Sequence, residues 1–150
     1  MTRLGDDDTV KQSPTTTEAL VPDPTLSIVI PVYNEAPNVR AQAKAIVSAI
    51  GDYFKGMEIL FVDDGSTDET ASIIAEMSGE DRRVRLIALG ENRGQITAMA
   101  NGIAGARGEV IVTMDGDLQH DPADVPALVA GVRSGADVVS APSVSGSQKW

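Results

Sequence analysis

The sequence predicts an α/β fold built on a doubly wound, mostly parallel sheet. Three observations predict it. Apolar runs of strand length alternate with amphipathic segments of helix length from Leu26 to about Ser140. The strands are nearly continuous in apolar residues, the pattern of a sheet covered on both faces. Polar clusters, Tyr33-Asn-Glu35, Asp63-Asp-Gly-Ser66 and Asp115-Gly-Asp-Leu-Gln119, follow the first, second and fourth of these strands. Ligands of such sheets bind beyond the carboxyl ends of the strands, so the three clusters are expected to meet on one rim.

Residues 1–25 are rich in Thr, Asp and Pro and poor in apolar side chains, which reads as a disordered arm. The folded domain is expected over 26–142, with an irregular tail at 143–150. Leu26-Ser-Ile-Val-Ile-Pro-Val32 is β-branched and of strand length, and Asn34 to Pro37 reads as a turn. Asn38 to Ile50 places Val39, Ala43, Ile46, Val47 and Ile50 on one helical face, and Gly51 stops the helix. Met57 to Val62 is a second strand. Asp63 to Thr67 is then a turn with Gly65 at its bend and Ser66 or Thr67 as cap. The helix that follows carries Ile73, Ile74 and Met77 inward. Val84 to Leu89 is a third strand, and Arg93 to Ala106 a third helix, interrupted by Gly102 and Gly105. Glu109 to Met114 is a fourth strand, Pro122 to Arg133 a fourth helix, and Ala136 to Ser140 a short fifth strand.

Composition narrows the function. At 150 residues the chain is one domain or a large part of one, and 42% hydrophobic content supports a core. Twenty-two acids against twelve bases, a net charge of −10, argue against nucleic acid, whose phosphates need a basic face. Anionic nucleotides remain compatible, because a divalent cation inverts the local sign. Without cysteine there is neither a disulfide framework nor a thiolate metal site. No apolar run approaches the roughly 20 residues of a membrane-spanning helix. The opening MTRLGDDDTV carries no apolar signal segment.

Each motif has a bland reading beside its chemical one. Gly102-Ile-Ala-Gly-Ala-Arg-Gly108 has glycines but closes a helix instead of opening one, so packing and a helix stop explain it better than pyrophosphate binding. No GxxxxGK[ST] loop is present. Asp115-Gly-Asp117 is either a surface turn or a pair of hard oxygen ligands for Mg²⁺ or Mn²⁺, with Gln119 offering a third oxygen. Coincidence with two other rim clusters favours the metal. Asp63 and Asp64 precede Gly65, and an ionised carboxylate suits a ribose hydroxyl or a base N–H. Tyr33 is a half-buried aromatic or a platform for a nucleobase, with Glu35 accepting from the base edge. Arg93, between Asn92 and Gly94, is a solvated arginine or a phosphate contact. His120, the single histidine, is better explained by pairing with Asp121 than by ligation or proton transfer.

Taken together, "SIVIPVYNEAPNV", "EILFVDDGSTDET", "NRGQITAMANGIAGARGEVIVTMDGDLQHDP" and "ADVVS" resemble the inverting GT-A glycosyltransferases of the family-2 type. Within that family they are most similar to the dolichol-phosphate mannose synthase and polyprenyl-phosphate glycosyltransferase branch. The resemblance implies a Rossmann-like half that binds a nucleotide-diphospho-sugar, GDP- or UDP-linked. It implies that Pro31, Tyr33 and Glu35 line the nucleobase pocket, with Val62 and Asp64 completing base and ribose contacts. Asp115, Asp117 and Gln119 would hold Mg²⁺ or Mn²⁺ on the donor diphosphate, and Gly116 would give it a backbone contact. The implied acceptor is a polyprenyl phosphate, reached by peripheral contact with the cytoplasmic, inner face of a membrane. Its oxygen is anionic at neutral pH, so no general base is required.

Relatives of this branch continue after the fifth strand with an arginine-bearing segment and further elements on the acceptor side. Residues 141–150 hold no arginine, and only Lys149 stands in, so the domain is expected to be incomplete at its C-terminus, with apolar sheet surface left exposed. The alternative to a metal-dependent transferase is accordingly a nucleotide-sugar-binding unit without turnover. A nucleotidyltransferase would carry a glycine- and arginine-rich loop after the first strand, which "PVYNEAPN" lacks.

Overall fold

The computed structural model describes residues 15–16 and 24–138. The strands are β1 (Thr15–Thr16), β2 (Leu26–Val32), β3 (Met57–Asp63), β4 (Val84–Ala88) and β5 (Val110–Thr113). The helices are α1 (Val39–Ile50), α2 (Thr70–Glu80), α3 (Gln95–Gly105) and α4 (Val125–Arg133), the last preceded by a single 3-10 turn at Pro122–Asp124. The sheet order is β1-β4-β3-β2-β5, with β2 to β5 mutually parallel. The winding therefore runs outward from β2 in one direction through β3 and β4, then returns to place β5 on the other side of β2. The reversal lies between β2 and β5, where such sheets bind ligands.

The parity of each strand decides which face it serves. Leu26, Ile28, Ile30 and Val32 of β2 join Met57, Ile59 and Phe61 of β3 in a large core with Val39, Ala43, Ile46 and Ile50 of α1. Ile74 and Met77 of α2 and Val125 and Val129 of α4 complete that layer, with Ile73 and Val47 partly buried against it. The opposite face carries Val29, Leu60, Val62 and Ile87, packed against Ala98 of α3. Residues of β2 and β3 are buried throughout, as near-continuous apolar strands require. β5 alternates instead, with Val110 and Val112 buried but Ile111 and Thr113 exposed. Among the described residues α3 is the helix of that second face, and it packs on β2 and β3.

The glycines of α3 are packing residues. A Cβ at Gly102 would lie 2.3 Å from Val29 Cγ1 and 2.9 Å from Val62 Cγ2, and one at Gly105 would lie 2.7 Å from Ile87 Cδ1. The helix thus approaches the sheet more closely than any side chain there would allow, and that closeness offsets the low helix propensity of glycine.

A buried polar group, not foreseen from the apolar character of the strands, anchors the same helix. Ser27, Glu58 and Arg85 are each the second residue of their strand and are at most 3% exposed. Arg85 Nη1 donates to Glu58 Oε2 at 2.7 Å and to the Gly105 carbonyl at 3.1 Å, at the negative end of α3. Glu58 Oε1 accepts from Ser27 Oγ at 2.6 Å and from the Arg107 N–H at 2.8 Å. Removing one partner would leave a buried charge uncompensated, at a cost of about 3–5 kcal/mol. The group fixes where α3 ends, and so where its N-terminal turn meets the opposite rim.

Two expectations change. Thr15–Thr16, inside the arm read as disordered, pairs antiparallel with β4 at Ile87 and Ala88. An outer strand offers unpaired backbone groups, and threonine suits an extended partner. The remainder of residues 1–23 lies outside the described residues, as do Val139 and Ser140 of the expected fifth strand and the tail at 143–150. Ala136 to Val138 form no strand. The Ala136 N–H instead donates to the Gly131 carbonyl at 3.3 Å, closing α4 after Gly135 adopts φ +112.

Candidate functional site

At the carboxyl rim of the sheet, the ends of β2 and β3, the loop after β4 and the first turn of α3 enclose a cavity of ≈ 180 Å³. Pro31, Val32 and Tyr33 come from the end of β2 and Asp64 from the end of β3. Asn92, Gly94, Gln95 and Ala98 come from the loop after β4 and the first turn of α3. Tyr33 lines the cavity and is 42% exposed.

Of the residues expected at a nucleobase pocket, Pro31, Tyr33 and Asp64 line this cavity; Glu35 and Val62 do not. Val62 shares the α3-facing parity of Asp64 but lies one pleat deeper, fully buried against Val29 and Ala98. The carboxylate of Glu35 accepts from Asn38 Nδ2 at 2.7 Å, and its backbone N–H donates to Thr70 Oγ1 at 2.9 Å. It therefore braces the entry to α1.

Asp64 is 4% exposed, and its carboxylate holds the neighbouring loop. Oδ1 accepts the Arg93 N–H at 2.7 Å and Oδ2 the Gly94 N–H at 3.0 Å. Arg93 contributes its backbone here, while its guanidinium pairs with Glu91 at 2.9 Å at the surface. Asp63 closes its own turn by accepting from the Ser66 N–H at 3.2 Å and from the Ser66 hydroxyl. Ser66 Oγ in turn accepts the Asn34 N–H at 2.9 Å, so it does not cap α2. That role falls to Asp68, whose Oδ1 accepts the Thr70 N–H at 2.9 Å and the Thr70 hydroxyl. These bonds, the Thr70 hydroxyl first, hold the Asp68 carboxyl below its ordinary value of 3.8.

Asn34, read from sequence only as part of a turn, ties two rim loops together. It adopts φ +52, and its Oδ1 accepts the Thr67 N–H at 2.8 Å and the Asp68 N–H at 3.3 Å. Asparagine tolerates this left-handed backbone better than other side-chain-bearing residues.

The acidic turn lies beside the cavity, joined to it by a residue that sequence reasoning missed. Gln95 lines the cavity, and its Nε2 donates to Asp115 Oδ1 at 3.4 Å. The signal for Gln95 lay in its position, the first residue of α3 directly after the Asn92-Arg-Gly94 loop. Gly116 is buried against β2, where a Cβ would meet Val32 Cγ1 at 2.8 Å and the Pro31 carbonyl at 3.0 Å. Asp117 and Gln119 are exposed, and the Gln119 N–H donates to Asp117 Oδ1 at 3.2 Å across a left-handed Leu118 (φ +65). His120 turns to Asp115 rather than Asp121: its Nδ1 accepts the Asp115 N–H at 3.2 Å, and Nε2 stands 3.7 Å from Asp115 Oδ2. Asp121 instead accepts the Ala123 N–H at 2.9 Å, capping the 3-10 turn.

Among the described residues no three His, Cys, Asp or Glu side chains converge as a ready-made metal cage. The turn offers two carboxylates and one amide oxygen, all hard donors. That set fits Mg²⁺ or Mn²⁺, which take few protein ligands and fill the rest with phosphate oxygens and water.

Comparison with known proteins agrees with this architecture. The sequence profile of glycosyl transferase family 2 matches residues 27–150. A dodecaprenyl-phosphate galacturonate synthase from Rhizobium johnstonii is 42% identical over 106 residues, 70% of this chain and 31% of that protein. A mannosyltransferase from Pyrobaculum calidifontis, solved with GDP-Man and Mn²⁺, superposes with a TM-score of 0.58 at 27% identity, over 78% of this chain and 34% of that one. Glucosyl-3-phosphoglycerate synthase from Mycobacterium tuberculosis, solved with Mn²⁺, UDP and glucosyl-3-phosphoglycerate, gives a TM-score of 0.58 at 28% identity, over 75% and 40%. The chain thus spans well under half the length of each of these relatives. By its sequence profile, its sheet order and the rim it builds at the switch point, the chain belongs to glycosyl transferase family 2.

Proposed function

We propose that this chain forms the donor-binding part of an inverting glycosyltransferase that moves a sugar from a GDP- or UDP-sugar to a polyprenyl phosphate. One observation carries the reading. A cavity walled by Tyr33 and Asp64 is joined to the Asp115-Gly-Asp117 turn through the side chain of Gln95, which lines the one and donates to the other. A nucleobase in the cavity would thereby direct its diphosphate toward the two acids. The name of the Rhizobium relative supports a polyprenyl-phosphate acceptor, and the two solved relatives support a nucleotide donor with Mn²⁺.

In this reading Tyr33 and Pro31 bind the base, while Asp64 shapes the pocket by holding the loop at Arg93 and Gly94. Gly116 gives the diphosphate a backbone contact. Mg²⁺ or Mn²⁺ held by Asp115, Asp117 and Gln119 would neutralise charge on the departing nucleoside diphosphate. The acceptor phosphate oxygen attacks the anomeric carbon opposite the leaving group; a C–O bond forms as the bond to the diphosphate breaks. That oxygen is already anionic, so the protein's task is positioning and exclusion of water. Among the described residues no helix is long and apolar enough to cross a membrane. We place the reaction at the cytoplasmic, inner face of a membrane, reached by peripheral contact, because the acceptor is a lipid and its phosphate lies at that surface.

The test is incubation with radiolabelled UDP- and GDP-sugars, Mn²⁺ and a polyprenyl phosphate, followed by lipid extraction. Labelled lipid is expected. Nucleotide-sugar binding without labelled lipid would identify a donor-binding unit without turnover, and absence of both would overturn the assignment.

A further inference from the structure

We infer that Gln42 is a positioning residue for the Asp115–Asp117 turn, acting from the core side of the sheet; the inference rests on the donor-site reading above. Gln42 lies on α1, on the face otherwise made of Val39, Ala43, Ile46 and Ile50, and is 2% exposed. Its Nε2 donates to the Asp115 carbonyl at 2.7 Å. Its Oε1 is buried without a partner. A half-satisfied amide in an apolar layer is disfavoured relative to a leucine or methionine of similar volume. What distinguishes glutamine at this position is therefore the one bond it makes, and that bond ends on the first acid of the turn.

The Asp115 residue is held from both sides. Its carbonyl is fixed by Gln42 and its N–H by His120 Nδ1, which leaves the carboxylate directed to the rim, where Gln95 meets it. Asp117 has no comparable tie to the core; its Oδ1 accepts from Gln119 within the same turn. The turn is thus anchored at its first acid and adjustable at its second. α1 follows the end of β2, which supplies Pro31, Val32 and Tyr33 to the cavity wall, after only the short Asn34–Asn38 loop. Gln42 consequently sets the distance between the base-binding wall and the acidic turn, a supporting role that commonly governs metal affinity by ten- to a hundredfold.

The experiment compares wild type, Gln42→Met and Gln42→Glu by thermal shift, titrating Mn²⁺ at fixed UDP or GDP, with the Gly116 amide followed by NMR without metal. Gln42→Met keeps the volume and loses the donor. It is expected to keep the metal-free melting temperature, to move the Gly116 resonance, and to raise the half-saturating Mn²⁺ about tenfold or more. Gln42→Glu, which sets an acceptor against the Asp115 carbonyl, is expected to raise it further. A Gln42→Met midpoint within about twofold of wild type, or a lowered metal-free melting temperature with an unmoved Gly116 resonance, overturns the positioning role while leaving the donor site standing. Wild type without any Mn²⁺-dependent stabilisation overturns the donor site and this role together.

Discussion

Both carboxylate oxygens of Asp64 accept backbone N–H groups, from Arg93 at 2.7 Å and from Gly94 at 3.0 Å. Those bonds hold the loop that forms one wall of the cavity, so the residue shapes the pocket whatever else it touches. Asp64→Ala would leave two donors unpaired, and the expected loss is about 2 kcal/mol or more in urea denaturation. Asp64→Asn, which retains one acceptor oxygen, should lose roughly half as much. A change below about 0.5 kcal/mol in Asp64→Ala would contradict this role. Sequence could nominate Asp64, because a second acid before Gly65 has no use in a simple turn. It could not show where the two oxygens point, since the partners lie 29 and 30 residues away. Asn34, Gln42 and Gln95 were hidden for the same reason: each acts on a loop brought near only by the winding of the sheet.

At the scale of elements, the entry to α2 is built by Asp68 and the turn before β4 by Asp81. The Asp81 carboxyl is held below 3.8, chiefly by the Arg83 guanidinium, as that of Asp68 is by Thr70. Groups with depressed folded values stabilise the fold fully above the unfolded value, and that stabilisation is lost as pH falls through the folded one. Acid unfolding is therefore expected to draw on both carboxyls, and Asp68→Asn should flatten the acid limb of a stability–pH curve. An unchanged acid limb in that variant would remove Asp68 from the account. β2, β3 and α1 were legible because apolar periodicity and the Gly51 stop coincide with what packing demands. Ala136 to Val138, the described part of the expected fifth strand, form no strand because the helix before them claims the Ala136 N–H, an outcome set by the Gly135 backbone rather than by β propensity. The glycines of α3, which weaken the helix on propensity, are where it meets the sheet most closely.

For the molecule as a whole, the switch point between β2 and β5 gathers at one rim what is spread along most of the chain. Two layers of unequal depth support it: α1, α2 and α4 on one side, α3 on the other. The thinner side leaves Ile96 and Ile103 of α3 and Ile111 of β5 exposed. Alternation of strand and helix predicted a parallel sheet whose carboxyl ends share one rim, so the meeting of the rim clusters was legible before any coordinate, while the strand order came only from the structure. The division of labour among the clustered residues was not.

The central claim is that Asp117 completes a metal-dependent donor site beside the Tyr33 cavity, and its most direct test is the thermal stabilisation of wild type and Asp117→Ala by UDP or GDP with and without Mn²⁺. The account predicts stabilisation of wild type that requires Mn²⁺, reaching about 2.7 kcal/mol at a ligand concentration a hundredfold above Kd, and its loss in Asp117→Ala. Equal stabilisation of the two proteins, or stabilisation of wild type that ignores Mn²⁺, would contradict it.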